Sequence, residues 1–523
     1  MKKRLLSTLL VLAMAISMLA GCGGSSDENS GEGGSAEGTA AENSLTIPVS
    51  ATVTSLNRLL ESMAEGWLQL APFADELYYV DLDETRYYLA ESCEVSEDGL
   101  TYTVKLRDNL KWHDGEAITA DDIVFTMACV ADTNNGASFT NVAYVNEQPV
   151  QVEKVDDLTV NFILPEVSAS YFELLGELIP IPEHAFDGNT DIVSAEANLT
   201  DIGSGPYKLV EFNDGESLVL EKFEDYYGDE PQLDQVVFRV ISDPSAQEVA
   251  YQNGEINYLP IATDESADKF RDAENTSFYE FPEGRVNYLA WNKYCATWEN
   301  EDAVKALFYA LDQEEIVSGA YGESMAEPAN TIFSNMTLFY DDSVKGYEQD
   351  LEQAKELAES SGLAGKTIKL YYNQDRTYME ETALIIQQQL QEIDVTVEVE
   401  GVESNAFFDI VFSDQADYEL YLNGYGAAGD PDAVVSGMYN GTWGINVDTS
   451  QEILDLFTQA SGTVDTDARA GIYSEIQQKA VDQFLVYPIA YPNYCFAASS
   501  NVQGLDYYTT TPVFEDYTKI SVK

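Results

Sequence analysis

The clearest alternation of apolar and polar positions falls at 95–107. Leu100, Tyr102, Val104 and Leu106 share one side, and Thr101, Thr103, Lys105 and Arg107 share the other. With the Asp98-Gly99 turn in front, this predicts a hairpin buried on one face. A second hairpin is predicted at 150–164, turning at Asp156-Asp157. Between them, Asp114-Gly115 leads to Thr119, a predicted helix cap with Asp122 three residues on. Ile123, Val124, Met127 and Ala128 give that helix its expected apolar face. The second half reads more helical. Residues 303–311 are apolar on one side, Asp312 caps the next helix, and Asp350 caps another that Gly362 stops. A strand is predicted at 367–372. Thr377 and Glu380 suggest a capping box for a helix through Ile393. Strands are expected at 394–400, 409–412 and 419–421, and a last helix at 468–484. Helices alternating with strands imply α/β lobes, and no internal repeat is present.

The front of the chain follows a different pattern. Lys2-Lys3-Arg4 precedes an apolar, charge-free run over 5–18, and Leu19-Ala20-Gly21-Cys22 closes it. A basic start, a short apolar core and small residues before a cysteine describe a lipoprotein leader. The run is too short to span a bilayer well. Residues 1–21 are therefore expected to be removed and Cys22 to carry lipid, which places the rest on the outer face of the cytoplasmic membrane. Residues 23–43, rich in Gly, Ser, Ala and Glu, suit a flexible tether with a typical end-to-end distance of about 25 Å. The fold is expected to begin at Leu45-Thr46-Ile47-Pro48-Val49.

Composition narrows the partners. The 523 residues are too many for one core. The net charge is −66, and loss of the leader removes three positive charges to leave −69. Such a field excludes nucleic acid as a ligand and keeps the body off anionic lipid, leaving the lipid anchor as its membrane attachment. Cys93, Cys129, Cys295 and Cys495 remain after Cys22, too widely spaced for a zinc site; Cys129 and Cys495 read as buried thiols. His113 and His184 are the two histidines, which argues against a Ser-His-Asp triad or a multi-histidine metal centre. Neither a cofactor nor a metal is implied.

At 89–125 the chain resembles a known family. Residues 89–102, from Leu89-Ala90-Glu91-Ser92-Cys93 to Gly99-Leu100-Thr101-Tyr102, are similar to the family-5 extracytoplasmic solute-binding proteins of ABC importers, the peptide, nickel and oligosaccharide receptors. Lys111-Trp112-His113-Asp114-Gly115 and Thr119-Ala120-Asp121-Asp122-Ile123-Val124-Phe125 extend the block. Cys93 stands where the family usually has tryptophan. The order continues through Ile181-Pro182-Glu183-His184, Gly203-Ser204-Gly205-Pro206-Tyr207, Tyr226-Tyr227-Gly228, Pro231-Gln232-Leu233-Asp234, Gln252-Asn253-Gly254-Glu255-Ile256, the run 304–312, Ile386-Gln387-Gln388-Gln389-Leu390 and Asp430-Pro431-Asp432. The resemblance implies an α/β, two-lobed periplasmic-binding-protein-like fold with an additional inserted domain and a ligand cleft between the lobes. Lobe I is expected to be built from 44–78, 204–285 and 487–523, the inserted domain II from 79–203 and lobe III from 286–486. The lobes would close on ligand about a hinge.

Candidate ligand residues follow. The segment 423–432, Asn-Gly-Tyr-Gly-Ala-Ala-Gly-Asp-Pro-Asp, is glycine-rich and follows a strand, which suits a cleft wall. Family members that bind peptide N-termini place an aspartate four residues before the proline of this loop. Here that position is Ala427, which removes the ion pair. Asp430 could substitute, or could serve the turn before Pro431. Tyr421 and Tyr425 could stack on a ligand or pack in a core. Trp291 and Asn292 lie near the expected hinge. Ser55 and Asn57 belong to the segment resembling the first cleft loop, and Arg376 could meet a ligand carboxylate.

The leading expectation is a monomeric receptor, not an enzyme, that delivers a peptide or other small solute to ABC permease and ATPase subunits. An oligosaccharide or metal-chelate receptor is the alternative within the family, and a peptide sensor without transport stands beside it. A tethered hydrolase is the competing class, but no nucleophile elbow, HExxH or Cys-His signature is present.

Overall fold

A computed structural model describes residues 43–523 apart from 62, 81–83, 323, 375, 377, 412, 414–416, 441–446, 506–507, 511–512 and 515. The leader, Cys22 and the tether up to residue 42 lie outside the described residues. Residues 41–523 form one compact unit.

The first sheet begins where the apolar pattern begins. Ser44–Val49 is buried along its whole length and runs parallel to Gln235–Val240, which continues antiparallel through Ser217–Lys222 to Tyr207–Asn213. One core joins Leu45, Ile47 and Val49 to Tyr207, Leu218 and Phe238, and then to Val502, Phe514, Tyr517 and Ile520. The start, middle and end of the chain thus bury apolar surface together.

A second core belongs to the segment between. Ala90–Val95, Thr101–Leu106, Thr159–Ile163 and Gln151–Asp156 form an antiparallel sheet, and Tyr102, Val104 and Leu106 point inward as the alternation predicts. The helix Ala120–Ala131 carries the expected capping box, with the Thr119 amide donating to Asp122 Oδ2 at 2.8 Å and the Thr119 hydroxyl accepting from the Asp121 amide. Its buried face is turned from the expected one: Ala128 is exposed, while Phe125, Cys129 and Val130 are buried. His113 ties this segment to the first sheet. Its Nδ1 accepts from the Gly203 amide and its Nε2 lies 2.9 Å from the Gly205 carbonyl oxygen. Burial pushes its pKa down to about 4, so the ring serves as a neutral clasp. Gly205 has to be glycine here, since a Cβ would lie 2.6 Å from the Pro72 carbonyl oxygen.

The largest sheet orders its strands Tyr258–Ile261, Tyr487–Ser499, Arg285–Trp291, Leu420–Gly426, Thr367–Asn373 and Thr396–Val402. Tyr487–Ser499 is its spine. Early residues of this strand pair with Arg285–Trp291 and Ala326–Pro328, and later ones with Tyr258–Ile261 and Thr276–Pro282. The chain therefore crosses between the two halves twice, at Glu283-Gly284 and at Pro492-Asn493, and the Glu283 amide donates to the Pro492 carbonyl at 2.9 Å. On one face, Leu289, Leu370 and Leu422 pack against the helices Glu301–Ala310, Gln313–Tyr321 and Met379–Gln391. On the other, Tyr288, Tyr421 and Tyr425 pack against Gln451–Ser461 and Thr466–Asp482. Helices on both faces follow from strands that are apolar on both sides.

Caps at Asp312 and Asp350 form as predicted, accepting from the Glu315 and Gln353 amides, and Gly362 ends its helix at φ 75°. Thr377 lies outside the described residues; the helix that follows starts at Met379, with Tyr378 making no side-chain cap. The strand expected at 409–412 is a correction. Residues Ser404–Val411 are helical, because Phe407 and Val411 repeat at a helical interval and are both fully buried; Phe412 itself lies outside the described residues. The strand expected at 394–400 begins two residues later, after Asp394 turns the chain at φ 60°.

Cys93, Cys129, Cys295 and Cys495 are free thiols, Cys129 and Cys495 fully buried. Among the described residues no helix is long and apolar enough to cross a membrane.

Candidate functional site

The strand Leu420–Gly426 lies inside the largest sheet, and the loop 427–430 leaves its end toward the second core. Ala427 is fully buried; its amide donates to the Gly284 carbonyl, and its carbonyl accepts from the Ser334 and Thr337 hydroxyls. Gly429 adopts φ +81°. Asp430 starts the helix Pro431–Tyr439, with Oδ1 accepting from the Asp432 amide at 2.9 Å. Its carboxylate is taken by Arg469, whose two terminal nitrogens reach Oδ2 and Oδ1 at 2.5 and 2.8 Å. Arg469 also meets Asp432 at 2.7 Å, and Tyr473 donates to Asp432 at 2.7 Å. Asp430 is thus a cap and an ion-pair member, committed within the protein.

The opposite wall is the short helix Tyr171–Gly176. Glu173 Oε1 accepts the Asp430 amide at 2.9 Å, and the Ala169 amide donates to the Ser461 carbonyl at 3.0 Å. These contacts join the second core to the far lobe. The fit is tight, since a Cβ on Gly429 would sit 2.4 Å from Glu173 Oε1. Burial, and then the Asp430 charge, push the Glu173 pKa up to about 8.

Several candidate residues sit near this meeting point. Tyr425 is buried, donating to the Ile332 carbonyl and paired with the Tyr439 hydroxyl at 2.9 Å. Tyr421 is fully buried beside Tyr288. Arg376 is half-buried and acts electrostatically on the Tyr288 hydroxyl, yet its guanidinium has no hydrogen bond or ion pair among the described residues. Ser55 and Asn57 lie on the other side of the cleft and hold their loop in place. Asn57 Oδ1 caps the Leu59 amide, its Nδ2 donates to Asn198 Oδ1, and the Ser55 hydroxyl accepts from the Asn57 amide.

Trp291 and Asn292 are placed elsewhere. The register pairs Arg285 with Gly426 and Trp291 with Leu420, so Trp291 lies about 20 Å along the strand from the loop. Its indole donates to the Phe484 carbonyl, and Asn292 is fully buried on the Tyr418 and Glu419 backbone. The structure does not bring these two together with Asp430.

Sequence reasoning missed a buried charged group on the Ser55 and Asn57 side. Arg58 is 6% exposed and lies over the Trp67 ring at 4.0 Å. Burial lowers its pKa to about 10, opposed by Glu76, Glu61 and Glu177. Asp75 accepts from the Tyr226 and Tyr227 hydroxyls at 2.8 and 2.7 Å, and burial still raises it to about 7. Burial likewise raises Glu177 to about 7 and holds Glu76 well above the carboxylate range, with Glu177 and Asp75 adding to the latter. The available signal was carboxylates set in apolar runs: Glu173 and Glu177 one helical turn apart around Leu174-Leu175, and Asp75-Glu76 between Phe73 and Leu77.

Two lobes joined by a shared strand, with a polar recess where they meet, define a two-lobed solute-binding protein. Residues 84–446 match the bacterial extracellular solute-binding proteins, family 5, and the chain belongs to that family. It is 28% identical to the oligopeptide-binding protein AppA of Bacillus subtilis (strain 168), over 96% of each chain. To the dipeptide-binding protein of Escherichia coli (strain K12) it is 27% identical, over 80% of this chain and 82% of that one. The crystal structure of the ABC transporter substrate-binding protein CtaP from Listeria monocytogenes is similar at 35% identity and a TM-score of 0.85, covering 92% of this chain and 99% of the other. Members of the family are binding proteins rather than enzymes.

Proposed function

We propose that this chain is a lipid-tethered extracytoplasmic receptor that captures a peptide-like solute and hands it to the permease of an ABC importer. One observation carries the reading: among the described residues, Arg376 on one side of the meeting point and Arg58, Glu76 and Glu177 on the other make no ion pair. A zwitterionic peptide supplies both complementary charges, whereas a neutral sugar supplies neither. The full-length likeness to an oligopeptide-binding protein supports the same solute class. The Leu19-Ala20-Gly21-Cys22 segment supports the anchor. On this reading the lobes are bounded near 79, 204, 286 and 487, with the double crossover as hinge, and the protein works as a monomer without turning its ligand over.

Delivery is tested in cells. Deleting the gene is expected to abolish uptake of a radiolabelled alanine tripeptide, and restoring it to return uptake. Unchanged uptake, with the purified protein still binding the peptide, would contradict delivery and point to sensing.

A further inference from the structure

The loop 427–430 is held at both ends. At its root the Ala427 amide donates to the Gly284 carbonyl at 2.7 Å, and Gly284 belongs to the crossover whose Glu283 amide reaches the Pro492 carbonyl. A Cβ on Gly284 would lie 2.8 Å from the Ala428 Cβ, and its φ of +66° is left-handed. Along its length the loop is strapped by the segment 334–338. The Ser334 and Thr337 hydroxyls donate to the Ala427 carbonyl. The Gly429 amide donates to the Met336 carbonyl at 3.2 Å, and the Leu338 amide to the Gly429 carbonyl at 2.9 Å. With both its amides and its carbonyls tied down, the loop is a stiff extension of the crossover.

At its far end the loop meets the segment that holds the second core. The Asp430 amide donates to Glu173 Oε1 at 2.9 Å. Nearby, the Ala169 amide donates to the Ser461 carbonyl at 3.0 Å, and Ala433 packs against the apolar residues of that core. Beside these contacts the boundary is not packed. A cavity of about 450 Å³ lies between Tyr144, Val167 and Ser170 on one side and Ser436, Phe457 and Thr458 on the other. Close packing would normally hold such a boundary together. With the cavity there, much of the hold falls to the short contacts, and a hydrogen bond shifts an equilibrium by about fivefold. A junction of this kind can open.

Resting on the double crossover as hinge, we infer that the loop 427–430 is a strut and the helix Tyr171–Gly176 its catch. Rotation at Glu283-Gly284 carries the loop onto Glu173, and the joined state is held there as well as at the walls that face a solute. A solute in the cleft gains from the catch without touching it, so the catch raises affinity for every solute by the same factor. The loop's residues then have tasks within the protein. Ala427 is the root of the strut, tied to the crossover, and Asp430 is its tip, fixed by Arg469 and offering its amide to Glu173. The second core acquires a part in the closing motion, as the body that receives the strut.

The test needs no ligand. Ala169→Cys and Ser461→Cys are introduced together into residues 23–523, where the shared hydrogen bond sets the two Cα atoms within about 7 Å. A short bismaleimide joins the pair, and peptide masses distinguish this product from any on the native thiols. The pair is expected to join readily. Glu173→Ala, at the catch, is expected to slow joining by about fivefold, the scale of one hydrogen bond. Gly284→Ala, at the other end of the strut, is expected to slow it comparably although it touches neither cysteine. Ser334→Ala with Thr337→Val, which unstraps the Ala427 carbonyl and leaves the crossover backbone unaltered, is expected to do the same. It decides the matter if melting shows that Gly284→Ala does not fold. Slowing by Glu173→Ala alone would overturn the strut and leave the hinge standing. Slowing by the loop variants without Glu173→Ala would overturn the catch. One common rate in every variant would mean bodies that do not part, overturning the hinge reading and the strut together. Failure of the pair to join in the otherwise unaltered protein would overturn the contact and the catch with it.

Discussion

Replacing Arg469 with methionine is expected to cost about 3–5 kcal/mol of stability, the scale for removing one partner of a buried ion pair. Arg469 is 5% exposed, and the side chains of Asp430 and Asp432 are 4% and 6% exposed. Without the guanidinium, two carboxylates would remain side by side in a buried setting, one still at a helix N-terminus and the other bonded by Tyr473. Burial and the Asp430 charge already raise the Asp432 pKa. Calorimetric melting of the ligand-free protein checks this, and acidification should recover part of the loss by neutralising the stranded acids. Adding Asp430→Asn and Asp432→Asn should recover more. A loss under about 1 kcal/mol, the range of an exposed pair, would contradict the buried network.

Ligand affinity is expected to fall as pH rises toward 8, and Glu173→Gln to remove much of that fall. In the joined lobes the Glu173 pKa is raised to about 8, burial coming first and the Asp430 charge second, with the Asp430 amide and Arg469 opposing and Glu177 adding. Once the lobes part, the carboxyl regains water and a value of about 4.3. The joined state therefore binds the extra proton. Its advantage is full below the open-state value and is lost as pH rises through the joined-state value, at up to about tenfold per unit. Asp75 and Glu177, each raised to about 7 by burial, titrate in the same range, so the informative quantity is the difference between the unaltered protein and Glu173→Gln in titrations from pH 5 to 9. Gly429→Ala should weaken binding at every pH, because its Cβ would meet Glu173 Oε1 and its backbone is left-handed. Identical pH profiles for the unaltered and Gln proteins would exclude Glu173 as a contact that matters to closure.

Much of this architecture was legible in local pattern. The 95–107 alternation, the Thr119 capping box, and the caps at Asp312 and Asp350 are short-range devices, and each forms as its residues dictate. Where the pattern misled, tertiary burial decided. The segment 409–412 reads as a strand, until a helical interval buries Phe407 with Val411. The helix after Thr119 turns its Phe125 and Cys129 inward because the sheet beside it covers that face. The site was less legible for the same reason. Asp430 looked available because Arg469 lies 39 residues away in sequence, and Trp291, expected near the hinge, is paired by strand register with Leu420, at the end of that strand away from the loop. Arg58 gave no local signal: its environment is assembled from residues 61, 67, 76, 139 and 177, which only the fold brings together.

The most direct test of peptide capture is a single calorimetric comparison on residues 23–523, titrated in parallel with short peptides, oligosaccharides and metal chelates. Peptides are expected to bind saturably and one to one, with sugars and chelates producing no heat beyond dilution. Saturable binding of a sugar or a chelate, with peptides silent, would contradict it while leaving the family and the fold as they stand.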